Sequence, residues 1–229
     1  QGFVAAGATA GLKASGRPDV SLVVNEGPLH VGVGVFTSNR VFAAPVALSR
    51  EVVADGRVDA VILNSGGANA ATGAEGYADA VATAAHVASA LAASGREIDA
   101  ANVAVCSTGL IGQRLPLPTL FAGIDTAASS LAPTGGADAA VAIMTTDTVA
   151  KTVVIEGDTY GSAGWSIGGM AKGAGMLAPG MATMLCVITT DAVVDPALAQ
   201  LALKEAVRTT LDRLDSDGCM STNDTVLLL

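Results

Sequence analysis

Aromatic and basic side chains are both scarce in this chain. Phe, Trp and Tyr make up 3% of its residues, and 12 Lys plus Arg face 21 Asp plus Glu. With so few aromatics the core must be filled by small and β-branched side chains, packed so closely that backbones approach one another. A net charge of −9 with no dense basic cluster excludes the electrostatic footprint of a nucleic-acid-binding surface. No polybasic run or lipidation motif marks a membrane-binding one. Charged residues are only 14% of the chain, apolar residues 51%, and mean hydropathy is +0.53. That balance is the reverse of a disordered composition. The length of 229 residues suits one large domain or two small ones.

Cysteine and histidine are scarce too. Cys106, Cys186 and Cys219 are an odd number without a C-x-x-C pair, and they read as buried free thiols of a reducing compartment, hence a cytoplasmic location. His30 and His86 are the only histidines and neither lies near a cysteine in sequence. Both read as structural, and no metal site is expected. Gly32-x-Gly34 lacks the third glycine and the downstream acid of a dinucleotide fingerprint, and no Walker A pattern exists. Ser65 lacks the glycine two positions earlier that a nucleophile elbow needs, since position 63 is Leu. A Ser65 hydrolase is kept as an alternative. Residues 1–10 carry no charged segment followed by an apolar one, so no signal peptide is expected.

What is present is an alternation of short apolar runs, Gly-rich loops and Ala-rich helical stretches, an α/β pattern. Strands are expected at 31–35, 58–63, 103–106, 184–190 and 225–229, with a hairpin of 152–156 and 163–168. Helices are expected at 74–94, 118–131 and 136–144. A fourth begins at Pro196 behind the Asp195 cap, with Leu198, Leu201, Val207, Leu211 and Leu214 on one face. In the first helix Val81, Ala84, Ala85, Ala88 and Leu91 share a face, and the run 64–67 is expected to stop the strand before it. An apolar strand with no turn after it predicts that the segment is incomplete at its C-terminal side.

Residues 173–190 contain no charge, long enough for a membrane span. Gly173, Gly175, Pro179 and Gly180 followed by a β-branched stretch read instead as a tight loop feeding a buried strand. Lys172 stands at the head of this stretch. Burying an unpaired ammonium is costly, so physical reasoning alone places Lys172 at the surface. Thr183 opens the strand. A threonine hydroxyl is a weak nucleophile without an adjacent base. Cleavage of the Ala182–Thr183 bond would free an α-amino group, of unperturbed pKa about 7.7–8.0, on the same residue.

Several ungapped motifs follow one another in order. They are Leu22-Val23-Val24-Asn25-Glu26-Gly27-Pro28, Val35-Phe36-Thr37, Ile62-Leu63-Asn64-Ser65-Gly66-Gly67-Ala68-Asn69-Ala70, and Cys106-Ser107-Thr108-Gly109-Leu110-Ile111-Gly112. Met144-Thr145-Thr146-Asp147, the Lys172 to Leu185 stretch and Ser221-Thr222-Asn223-Asp224-Thr225 continue the series. On these the chain resembles the glutamate N-acetyltransferase (ornithine acetyltransferase) family of arginine biosynthesis over nearly its whole length. One small departure is Ala150 before Lys151, where the family often has proline.

The resemblance implies an α/β layered sandwich with two central β-sheets flanked by helices, N-terminal-nucleophile-like in architecture but distinct in topology. It implies self-cleavage between Ala182 and Thr183. Residues 1–182 would then form an α subunit and 183–229 the start of a β subunit, paired as an α/β heterodimer and assembled as a heterotetramer. Thr183 becomes the nucleophile, taking acetyl from N-acetylornithine and passing it to glutamate by a ping-pong route. The family's oxyanion donors fall on Thr108 and Gly109, and its substrate contacts on Thr145, Lys172 and Thr183. No metal and no organic cofactor is implied, and no nucleic-acid or membrane partner. Some members of the family also use acetyl-CoA, which these residues leave open. The alternatives are a related self-cleaving aminopeptidase, which is expected to carry Ser at the nucleophile position, and a non-catalytic paralogue that stays uncut.

Overall fold

The computed structural model describes residues 1–158, 164–181 and 184–229. Two β-sheets lie face to face. The first has the order β1–β2–β4–β5, from strands β1 (Phe3–Ala8), β2 (Val20–Asn25), β4 (Ala60–Gly67) and β5 (Val103–Leu110). Its first two pairings are antiparallel and β4–β5 is parallel. The second has the order β3–β9–β8–β7–β6, from β3 (Val33–Phe36), β6 (Lys151–Gly157), β7 (Trp165–Lys172), β8 (Leu185–Thr190) and β9 (Thr225–Leu228). Here only β8–β9 is parallel.

Alternation along the strands of the first sheet supplies two cores. Val20, Leu22, Val24, Ala60 and Ile62 point to helices α2 (Gly73–Ala93) and α3 (Leu117–Ser129), meeting Val87, Leu91, Leu120 and Ile124. Val23, Val61, Leu63, Ala104 and Cys106 point the other way. They meet Met170, Leu185, Val187 and Leu227 of the second sheet, with Ala139 and Ala140 of α4 (Gly136–Ala142) at one side. The outer face of the second sheet is covered by α5 (Pro196–Thr209) through Ala199, Leu203 and Val207. Helix α1 (Ala44–Val52) closes the edge, where Ser49 Oγ donates to the Val105 carbonyl at 2.7 Å. The layers run helix, sheet, sheet, helix, as expected.

The structure differs from the sequence reading in several places. β1, β2 and α1 were not expected. β4 continues through Asn64-Ser65-Gly66-Gly67 instead of stopping there, because those residues pair with β5 as far as Leu110. The second hairpin strand runs four residues further than expected, to Lys172. The last helix ends at Thr209, and Leu198, Leu201 and Leu214 are exposed. Its buried stripe is Ala199–Leu203–Val207, at the same period but rotated. In α2, Val81 and Ala85 are exposed while Ala80, Ala84, Val87 and Leu91 face the core. Cys106 and Cys186 are buried as expected, whereas Cys219 is exposed. Among the described residues no helix is long and apolar enough to cross a membrane, and the described part of the uncharged stretch, 173–181 and 184–190, forms a loop and β8.

Candidate active site

The parallel pair β4–β5 ends in an irregularity at Gly66 and Gly67, opposite Thr108 and Gly109. Gly109 has φ +131°, and a Cβ there would lie 2.5 Å from the carbonyl carbon of Gly66. Both the conformation and the space demand glycine. The strand end is pinned by polar side chains buried between the sheets. Ser107 Oγ donates to Asn64 Oδ1 at 2.6 Å, and Asn223 Nδ2 donates to the carbonyls of Ala68 and Ser107 at 2.7 and 2.8 Å. Thr108 is thereby presented at the strand end, almost wholly buried.

Lys172 faces it from the other sheet. It is the last residue of β7 and only 2% exposed, and its Nζ donates to Thr108 Oγ1 at 3.2 Å. The expectation of a surface lysine is therefore wrong. Burial lowers its pKa, and Lys151 and Lys13 lower it further, while Asp147 and Asp224 oppose them. Those two carboxylates and the Thr108 hydroxyl make burial tolerable.

Asp147 organises the loop after α4. Its Oδ1 accepts from Lys151 Nζ and from the Gly173 N–H, and its Oδ2 accepts from the Thr145 N–H at 3.2 Å. Burial pushes this carboxyl up, but Lys151, the two N–H donors and the charge of Lys172 outweigh it and hold the pKa below the ordinary value. Thr145 is thus tied through Asp147 to Gly173, the residue after Lys172. Asp19 does comparable work for the loop after β1. Fully buried, it accepts N–H bonds of 2.6–3.1 Å from Ala10, Gly11, Leu12 and Lys13. This holds Lys13 Nζ against the carbonyls of Pro18 and Ala142 at 2.7 and 3.3 Å.

A cavity of about 600 Å³ opens beside Thr145, lined by Lys13, Arg17 and Thr148 among others. A larger one of about 770 Å³ lies between β1 and the β7–β8 surface and is lined by none of Thr108, Gly109, Thr145 and Lys172. We place the site beside the first, because Thr145 and Lys13 line it and Lys13 lies in the field of the buried Lys172.

Ala182 and Thr183, the expected cleavage site and nucleophile, lie outside the described residues. Their neighbours are described: Met181 and Met184 are both buried. The Met184 N–H donates to Asp224 Oδ1 at 2.9 Å, and the Thr225 N–H donates to the Met184 carbonyl at 3.1 Å. Asp224 is fully buried, and burial pushes its pKa up to about 6 against the Met184 N–H, the Ser221 and Thr37 hydroxyls and the charge of Lys172. Sequence reasoning quoted Asp147 and Asp224 only as motif members and gave no role to Lys13, Lys151 or Asp19. The available signal was an acid within an otherwise apolar or hydroxyl-rich run.

Ser65 Oγ donates its proton to the Ala142 carbonyl at 2.5 Å, which is a structural bond rather than an activated nucleophile. His86 stacks on Phe121 with ring centroids 4.1 Å apart and lies 2.8 Å from Asp125 Oδ1. His30 Nδ1 lies 3.0 Å from Asp59 Oδ1. Neither histidine bonds Ser65, which removes the support for a Ser65 hydrolase. Among the described residues no group of three or more His, Cys, Asp or Glu is gathered as a metal site.

A two-sheet α/β sandwich with a buried lysine–threonine contact between its sheets belongs with the N-terminal-nucleophile-like folds. A family model matches residues 4–229, and the chain belongs to the ArgJ family. It is 59% identical to the arginine biosynthesis bifunctional protein ArgJ of Mycobacterium leprae, matching all of this chain and 56% of that protein. The chain thus spans about half the length of the curated relatives it matches. Among solved structures it resembles ornithine acetyltransferase from Mycobacterium tuberculosis complexed with ornithine, with a TM-score of 0.74 and 53% identity over 80% of this chain and 93% of that one. ArgJ from Bacillus halodurans matches with a TM-score of 0.69 and 35% identity over 81% of this chain and 92% of that one.

Proposed function

We propose that the protein moves acetyl from N2-acetyl-L-ornithine to L-glutamate through an acetyl ester on Thr183, after cutting its own chain between Ala182 and Thr183. The observation that carries this reading is the Lys172–Thr108 contact, which gathers two of the family's site residues from different sheets. Membership of the ArgJ family supports it. So does the likeness to ornithine acetyltransferase from Mycobacterium tuberculosis complexed with ornithine.

In the cleavage step the Thr183 hydroxyl attacks the Ala182 carbonyl carbon, and the acyl group passes from nitrogen to oxygen. Water then hydrolyses the ester, leaving the Ala182 carboxylate and a free α-amine on Thr183. In the transfer the amine takes the hydroxyl proton as the oxygen attacks the acetyl carbonyl of N-acetylornithine. The C–N bond breaks and the proton goes to departing ornithine. The α-amine of glutamate then attacks the acetyl ester and restores the hydroxyl.

Thr108 and Gly109 are the oxyanion donors of this scheme. Thr108 Oγ1 accepts from Lys172, which leaves its own O–H free to donate to developing negative charge. Lys172, Thr145 and Thr183 contact substrate. Cleavage gives an α chain of residues 1–182 and a β chain beginning at Thr183, paired as a heterodimer within a heterotetramer in the cytoplasm.

Thr183→Ala in the complete protein tests the reading. Intact-mass measurement is expected to show one uncut polypeptide with no acetyl transfer. A variant still split at 182/183 would overturn self-processing by this hydroxyl. An uncut wild-type protein that transfers acetyl at full rate would overturn the amino-terminal nucleophile.

A further inference from the structure

We infer that Ser65 is a positioning residue for substrate binding: its buried hydroxyl fixes the Ala142 carbonyl at the end of α4 and so sets the place of Thr145, three residues further on. The inference rests on Thr145 contacting substrate. It goes further by naming the group that holds that contact in place.

Ser65 lies in the part of β4 that runs beyond the expected stop, opposite Thr108 in the parallel register. It is fully buried, and its Oγ donates to the Ala142 carbonyl at 2.5 Å. α4 ends at Ala142. The last carbonyls of a helix have no partner within it, so a donor from elsewhere is needed there. The Ala142 carbonyl has two. Lys13 Nζ, from the loop between β1 and β2, also donates to it, at 3.3 Å. Two donors from separate segments engage both lone pairs of the oxygen, which fixes its position as well as satisfying it.

The two donors are themselves joined. The Ser65 N–H donates to the Asp19 carbonyl at 2.9 Å, and the Asp19 carboxylate takes the Lys13 N–H at 3.1 Å. Ser65, Asp19, Lys13 and Ala142 thus close a ring of hydrogen bonds across β4, the β1–β2 loop and α4. Lys13 is braced a second time by the Pro18 carbonyl at 2.7 Å. A closed network resists displacement more than a single bond does, because moving one member strains the others. Thr145 is held from its other side as well. Its N–H goes to Asp147 Oδ2 at 3.2 Å, and Asp147 is fixed by Lys151 and the Gly173 N–H.

Only Ile143 and Met144 separate Thr145 from the gripped carbonyl, and Ile143 is fully buried. This short span transmits a shift of the helix end to Thr145, which lines the cavity of about 600 Å³ beside Lys13. Removing the Ser65 hydroxyl opens the ring and leaves Lys13 as the other donor to Ala142. The helix end then relaxes and Thr145 moves. Binding weakens for both substrates of the ping-pong cycle, because each meets Thr145 in turn. The lost bond takes no part in the reaction itself, so kcat is expected to hold.

The experiment uses the complete protein as wild type, Ser65→Ala, Thr145→Ala and the double variant, with KM and kcat measured for N-acetylornithine and glutamate. Ser65→Ala is expected to raise both KM values about 10-fold at nearly unchanged kcat, the mark of lost binding rather than lost chemistry. In the Thr145→Ala background the same change is expected to alter KM by less than about 2-fold, because the contact it positions is already gone. Effects that multiply in the double variant, or a lowered melting temperature at wild-type KM, overturn the positioning role of Ser65. So does a fall in kcat at unchanged KM. Should Ser65→Ala fail to fold, Ser65→Cys, whose thiol is a weak donor, is read in the same cycle against the same outcomes. A wild-type KM in Thr145→Ala alone overturns the reading of Thr145 as a substrate contact, and this inference with it, and is seen without any Ser65 variant.

Discussion

Lys172 Nζ donates to Thr108 Oγ1 across 3.2 Å, and this contact joins the end of β7 in one sheet to the end of β5 in the other. A lysine there is held in a dry environment by the Thr108 hydroxyl and the charges of Asp147 and Asp224, against the like charges of Lys151 and Lys13. Its position is costly to maintain.

Lys172→Met separates that cost from the part Lys172 plays in acetyl transfer. The apolar replacement removes the desolvation cost, and Asp147 keeps Lys151 as its partner. The melting temperature is expected to move by no more than about 4 °C, equivalent to about 1 kcal/mol in a chain of this size. Acetyl transfer by the complete protein is expected to fall by about 100-fold or more, as when a preorganised charge-stabilising donor is lost. Thermal melting and steady-state kinetics check the pair, and a collapse in melting temperature at unchanged specific activity would make Lys172 structural.

Gly109→Ala tests the backbone of the strand end. The residue sits at φ +131° with Gly66 carbon 2.5 Å from the added Cβ, so strain and overlap combine to at least about 3 kcal/mol. Gly112→Ala is the control: its φ is +83° but nothing lies within 4 Å of the added atom, and the cost is about 1 kcal/mol. Chemical denaturation of both variants measures the gap, and equal losses would mean that close approach to Gly66 is unimportant.

Asp147 and Asp224 give opposite pH dependences of stability. The folded pKa of Asp147 is depressed, so its contribution is present above the ordinary value and lost as pH falls through the folded one. The folded pKa of Asp224 is raised from 3.8 to about 6, so its contribution is present below 3.8 and lost as pH rises through 6. Asp224→Asn removes only the second dependence. The melting temperature of the variant relative to wild type is expected to be higher at pH 7.5 than at pH 4. A difference that stays constant between the two values would show that Asp224 does not titrate with a raised pKa in the fold.

Much of the fold is legible in the residues because it is local. The spacing in 74–94 and the Asp195-Pro196 start gave helices where α2 and α5 lie. Helix faces were less legible: Leu198 and Leu201 invite burial by type, yet Ala199, Leu203 and Val207 are the residues against the sheet. β2 escaped notice because Ser21 and Asn25 interrupt its apolar run, although all six of its residues are buried. At the site, Thr108, Thr145 and Lys172 came from the motif resemblance. Physical reasoning on Lys172 failed because the groups that offset its burial stand 25–64 residues away along the chain.

The sequence by itself determined the α/β class, a core of small and β-branched side chains, the family, and the residue types available for chemistry. These follow from composition, short-range period and ordered motifs. The tertiary structure decided which of those residues meet. The register of β4 on β5 sets Thr108 and Gly109 at a strand end, and the register of β8 on β9 sets Asp224 against Met184, 40 residues earlier. Pairings at such separations depend on where whole strands dock, and a shift of one residue would turn each side chain to the opposite face.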